Sequence, residues 1–211
     1  MQKPFVIITV PHAAGCGSPS SHKISHPCDR YGPILADTLA NSLKEKNVEH
    51  RVFKSQVPRD KIRSDGRGNS DMNRKWNRDT EYRKMIAKEI TDRISQGYRV
   101  WVIDCHSFPP GSEHYGPDDS DFVILDTRDG EYNLVTSYVY DFLQKIRNED
   151  STIRIKSLPA TDPWEEETDD IMDTSRELGA RSFLIEVREG TLHEKIKRFT
   201  QILTVFIVQS I

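Results

Sequence analysis

Three apolar runs in this chain each end on residues that bind metals or move protons. The run RVWVIDCHS over 99–107 delivers Asp104, His106 and Ser107 at its polar end, FVIITV over 5–10 runs into Pro11 and His12, and SFLIEVRE over 182–189 carries Glu186 where its apolar stretch stops. Two imidazoles and a carboxylate on three strand ends predict a bound metal. A zinc ion in a hydrolase takes three protein ligands and leaves one position open to water, whose pKa it lowers to about 7. His12 and His106 supply two ligands. Asp29 is the first choice for the third, because it closes the His-rich loop just before a helix, and His22 and His26 compete with it.

Residues around these ligands have readable roles. Asp104 lies two positions before His106, so strand alternation turns both side chains to one side, where the acid can fix the imidazole through its second ring nitrogen; capping a nearby turn is the alternative. Cys105 faces the other way and reads as a packing thiol. Glu186 suits the general base, a carboxylate beside activated water. A salt bridge to Arg181 or Arg188 is the plainer reading, and Glu189 is the reserve candidate. The stretch 59–78 concentrates positive charge and holds Arg67, Asp71, Asn73 and Arg74 at close spacing. Arginine's planar fork grips carboxylates with two bonds, so this segment suits an anionic substrate. Nucleic acid is disfavoured, because only Trp76 and Tyr82 offer stacking faces there.

Positioning these residues requires strands that alternate with helices. After the 5–10 strand, Pro11, Gly15 and Gly17 open a long loop. Ile34, Leu35, Leu39 and Leu43 then share one helical face, with Pro33 in the first turn and Asn47 at the stop. A short strand over 49–53 precedes a polar loop or flap over 54–78. Residues 80–96 form a helix with Met85, Ile86, Ile90 and Ile94 on one stripe, stopped by Gly97, and feed the 99–104 strand. Further strands are expected at 121–126, 153–156 and 182–187, with helices at 132–147, 174–178 and 192–208 and an acid-rich loop at 158–173. The pattern predicts a three-layer α/β/α sandwich around a mostly parallel or mixed sheet, with ligands at the carboxyl ends of the strands.

Composition narrows the class. A chain of 211 residues with 30% charged residues and a net charge of -3 fits one domain, 1–211, with a sizeable core and a surface of mixed sign. No window approaches the roughly 18 apolar residues of a membrane span. Three cysteines, Cys16, Cys28 and Cys105, cannot all pair in one chain, which points to reduced thiols and a cytoplasmic protein.

With these residues in place, the chain resembles the N-formylglutamate amidohydrolase family of the zinc carboxypeptidase-like superfamily. Residues 6–15 (VIITVPHAAG) look like its opening strand and first histidine ligand, and Cys28-Asp29 resembles the acidic ligand that follows. Arg67 with 70–74 (SDMNR) is similar to its arginine and Asp-Leu-Asn-Arg block, Asp104 to Ser107 matches its second histidine motif, and 183–189 (FLIEVRE) looks like the strand presenting the general base. The chain departs from the carboxypeptidase His-x-x-Glu pattern, since position 15 is glycine, and it is shorter than typical formylglutamate enzymes.

The resemblance implies a zinc amidohydrolase that holds one Zn(2+) through His12, Asp29 and His106. Glu186 would be the base, Arg67 would polarise the carbonyl or clamp the substrate's carboxylate, and Arg74, Asn73, Asp71 and Ser107 would contact the substrate. The expected partner is a small N-formyl or N-acyl amino acid or a short peptide, with neither nucleic acid nor membrane. A carboxypeptidase or peptidoglycan amidase is the first alternative. A non-catalytic protein holding structural zinc through Cys16, Cys28, His22 and His26 is the second.

Overall fold

In the computed structural model, which describes residues 2–14, 28–58, 72–73, 77–111, 120–126, 137–159 and 171–210, the chain opens with strand β1 (Pro4–Val10). Its side chains are buried from Phe5 onward on both faces, as expected of an interior strand in a sheet covered on two sides. Helix α1 (Gly32–Glu45) buries Leu35, Leu39 and Leu43, the period read from the sequence, and Asn47 ends it in the left-handed region at φ 53°. Strand β2 (Glu49–Lys54) follows. Helix α2 (Glu81–Ser95) begins at Thr80, whose side chain accepts from the Arg83 N–H, and Gly97 supplies the positive φ that stops it. Strand β3 (Arg99–Phe108) is ten residues long. Then come β4 (Phe122–Asp126), α3 (Ser137–Glu149), β5 (Ile155–Pro159), α4 (Ile171–Glu177), β6 (Arg181–Arg188) and α5 (His193–Gln209).

The six strands form one sheet in the order β2-β1-β3-β6-β4-β5. β2, β1, β3 and β6 run parallel, while β4 pairs with β6 antiparallel and with β5 parallel. The expected α/β/α sandwich with a mixed sheet is therefore what the chain builds. Leu39, Phe142, Phe199 and Leu203 from α1, α3 and α5 share a core with Val6, Ile8, Trp101, Ile103, Cys105 and Phe183. On the other face, Tyr82, Ile86, Ile90 and Ile171 from α2 and α4 cover Phe5, Ile7, Val100 and Val102. No helix among the described residues is long and apolar enough to cross a membrane.

Three local expectations change. β3 continues past the expected end at Asp104 to Phe108, so Asp104 lies between β1 and β6 while His106, beyond the last β1 pair, is still paired with Glu186 of β6. Met85 is 42% exposed, because α2 turns Tyr82, Ile86 and Ile90 inward and leaves Met85 at the solvent edge. Cys28 is disulfide-bonded and only Cys105 among the described cysteines is a free thiol, so the expectation of uniformly reduced thiols is not met.

Candidate metal centre

The parallel register brings the chemistry together. Thr9 of β1 pairs with Asp104 of β3, and His106 of β3 pairs with Glu186 of β6. Strand alternation puts Thr9, Asp104, His106 and Glu186 on one side of the sheet, opposite Cys105, which packs in the α1 and α5 core. His12 follows β1 directly and Asp29 precedes α1. The Asp29 N–H donates to the His12 carbonyl at 3.1 Å, so the two loop residues stand together.

One carboxylate oxygen organises the centre. Asp29 Oδ2 lies 3.0 Å from His12 Nδ1 and 2.9 Å from His106 Nδ1. The other nitrogen of His106, Nε2, lies 2.9 Å from Asp104 Oδ2, and Thr9 Oγ1 donates to Asp104 Oδ1. The two imidazole rings meet edge to face with centroids 4.9 Å apart. His12, Asp29 and His106 are all buried, and each offers a ligand atom within 4.8 Å of the others.

Electrostatics follow from this crowding. Burial opposes ionisation of Asp29, but the charge of His12 and hydrogen bonds from His106 and His12 outweigh it and hold the carboxyl far below its usual range. Burial likewise opposes charge on His106, yet Asp104 and then Asp29 overcome it, and its pKa rises well above that of a free imidazole. Each ring nitrogen of this one histidine thus faces a carboxylate. Such a site draws cations, and the donors are of the imidazole and carboxylate types that zinc takes. The residues fit a metal: Asp29 and the two Nδ1 atoms would be its ligands, and Asp104 on Nε2 supplies the outer carboxylate that orients a ligating histidine.

Other expected residues divide into three groups. Asn73 reaches the centre, its Nδ2 being 3.1 Å from His106 Nε2 and 3.5 Å from Asp104 Oδ2. Glu186 is buried beside His106 on the neighbouring strand. Arg181 lies over the Trp101 ring and Arg188 faces Asp121. Ser107 is engaged elsewhere: its Oγ accepts from the Tyr31 N–H at 3.1 Å and lies 3.5 Å from Glu189 Oε1, bracing the start of α1. Arg67, Asp71, Arg74, His22, His26 and Cys16 lie outside the described residues. A disulfide sulfur offers no thiolate to a metal, which removes Cys28 from the alternative cysteine site.

Two contributors were missed from the sequence. Thr9 braces Asp104, and the signal was a hydroxyl inside an otherwise apolar strand, where a buried polar group must find a partner. Arg83 is 3% exposed and bonded to Met72; nothing in a helix of mixed polarity marked it as buried.

Comparison with known proteins finds no matching family model and no matching curated protein. Solved structures match by shape. Gene product Atu2144 from Agrobacterium tumefaciens aligns at TM-score 0.60 and 13% identity, covering 96% of this chain and 88% of that one. An N-formylglutamate amidohydrolase from Ralstonia eutropha JMP134 aligns at TM-score 0.56 and 16% identity, covering 100% and 96%. The N-acetylmuramoyl-L-alanine amidase AmiC2 of Nostoc punctiforme aligns at 0.52 and 12%, covering 98% and 96%. The chain therefore has the mixed α/β fold found in an N-formylglutamate amidohydrolase and in an N-acetylmuramoyl-L-alanine amidase.

Proposed function

We propose that the chain is a zinc-dependent amidohydrolase that cleaves the amide bond of a small N-formyl or N-acyl amino acid. The observation that carries this reading is the buried convergence of His12, Asp29 and His106 on one point, at the carboxyl ends of parallel strands in a fold that amide-cleaving enzymes also use. Fold alone does not choose a chemistry; the donor set does. A divalent ion held by these three residues would polarise an amide carbonyl and lower the pKa of water.

The protein's own groups have separable tasks. Glu186, level with His106 across the β3–β6 pair, would take a proton from the attacking water and return it to the leaving nitrogen. Asp104 would keep Nε2 of His106 protonated, leaving Nδ1 its lone pair. Asn73 would orient the substrate's amide. Arg67 and Arg74, with Asp71 between them in sequence, are proposed from the sequence to bind the substrate's carboxylate and to polarise the carbonyl. A peptide substrate is the second reading, favoured by the likeness to AmiC2.

The test is hydrolysis of a panel of N-formyl and N-acyl amino acids and short cell-wall peptides with zinc supplied, beside Glu186→Gln. Zinc content should be unchanged in the variant, and turnover should fall by about 100- to 10,000-fold, the usual contribution of a positioned acid–base group. Full activity of Glu186→Gln would remove Glu186 as the base, and turnover of peptides alone would move the substrate to the second reading.

A further inference from the structure

Asn73 reaches His106 from a turn, not from a helix or strand, so something else must hold it there. A guanidinium placed away from water is costly unless its N–H groups find acceptors. Arg83, on the first turn of α2, points inward and is 3% exposed. Its NH1 donates to the Met72 carbonyl at 2.8 Å and its NH2 to Thr174 Oγ1 of α4 at 2.6 Å. Met72 is itself buried with Tyr82 and Ile86, and the Thr80 hydroxyl at the start of α2 approaches its sulfur at 3.7 Å. The residue after that clamped carbonyl is Asn73, whose amide touches the Asp104–His106 pair on the Nε2 side, away from Asp29.

We propose that Arg83 is a positioning residue for this centre: it fixes the Met72 carbonyl to α2 and α4, and so sets where the Asn73 amide stands against Asp104 and His106. Its catalytic consequence rests on the amidohydrolase reading; the geometric role does not. A planar fork is needed, because two acceptors on two different elements are held at once. Lysine keeps the charge but cannot span both. When the Met72 carbonyl is released, Asn73 moves off the Asp104–His106 pair and the environment of Nε2 changes, although no ligand and no strand residue has been altered.

The experiment compares wild type, Arg83→Lys, Asn73→Ala and the double variant by 15N NMR of the histidine ring nitrogens in the zinc-free protein, and by turnover with zinc supplied. Arg83→Lys should move the His106 Nε2 resonance in the direction that Asn73→Ala moves it, and the double variant should move it no further. Turnover should fall by about 10- to 100-fold, the loss that a small misplacement of a substrate-facing group produces, with the single and double variants alike. Thr174→Val, which removes one of the two acceptors, should give a smaller shift in the same direction and serves if Arg83→Lys does not fold. An unmoved Nε2 resonance in Arg83→Lys or Thr174→Val, with only a lowered melting temperature, overturns the proposal and makes Arg83 a structural residue. If the resonances move as expected while the wild type cleaves no amide, the positioning role stands and the amidohydrolase reading fails.

Discussion

At the scale of single residues, the centre depends on how one imidazole is shared. His106 lies between Asp29 and Asp104, one acid on each ring nitrogen, and only the Asp104 bond can survive when a metal takes Nδ1. Asp104→Asn would keep the shape and the Thr9 contact but lose the charge that favours a proton on Nε2. Zinc affinity should fall by about 10- to 100-fold, the usual cost of losing such an outer carboxylate, and the zinc-free protein should also lose stability because a buried charged pair is broken. Competition with a chromophoric chelator measures the affinity, and an undiminished value would show that Asp104 only braces the strand. The ligand types were legible in the sequence because histidines and acids at the ends of apolar runs are conspicuous. The sharing of Asp29 was not, since 77 residues separate it from His106 and only the fold decides that distance.

At the scale of elements, helix α1 is fitted closely onto β3 at the centre. A methyl group on Gly32, the first residue of α1, would come within 2.9 Å of the Cys105 carbonyl oxygen and 3.3 Å of the Asp29 Cβ. The obstacle is backbone, between Asp104 and His106, so it cannot swing away as a side chain could. Gly32→Ala should therefore push α1 outward and carry Asp29 with it. We expect a loss of about 1–3 kcal/mol, as for overpacking elsewhere, together with weaker zinc binding; denaturant unfolding and zinc titration on the same samples check both. Unchanged stability would mean that the helix start is looser than it looks. Leu35, Leu39 and Leu43 announced α1 by their period, and Asn47 and Gly97 announced two helix stops by residue type. The closeness of Gly32 to β3 had no such signal, because it arises from where the helix lands and not from what it contains. The same limit hid the full length of β3: pairing with β6 alone carries it past Asp104 to Phe108, where the apolar run had already ended.

At the scale of the whole molecule, the two reversed strands must be tied to the four parallel ones, and Asp121 does much of this. It precedes β4, accepts from the Arg154 N–H before β5 at 2.9 Å and from Lys195 of α5 at 2.7 Å, and its carbonyl accepts from the Arg188 N–H at the end of β6. Burial alone would raise its pKa, but the Lys195 and Arg154 bonds and their charges outweigh burial and hold the carboxyl below the usual aspartate range. The sign of the pH effect follows. A folded-state pKa below the unfolded value near about 4 contributes stability that is complete above that value, and is lost as pH falls through the folded pKa. Asp121→Asn should cost about 1.5–3 kcal/mol at neutral pH, the range for hydrogen bonds to charged groups. The gap from wild type should narrow as pH falls below about 4 and on through the lowered folded pKa, as the aspartate becomes neutral like the asparagine. Urea unfolding of the two proteins across this range decides it. Glu89, also held low by Arg93 and Arg51 after burial is overcome, titrates in both and cancels in the difference. A gap that stayed constant with pH would mean that Asp121 acts through its shape and backbone contacts, which asparagine retains, and that its charge does not tie the reversed strands to the rest of the sheet.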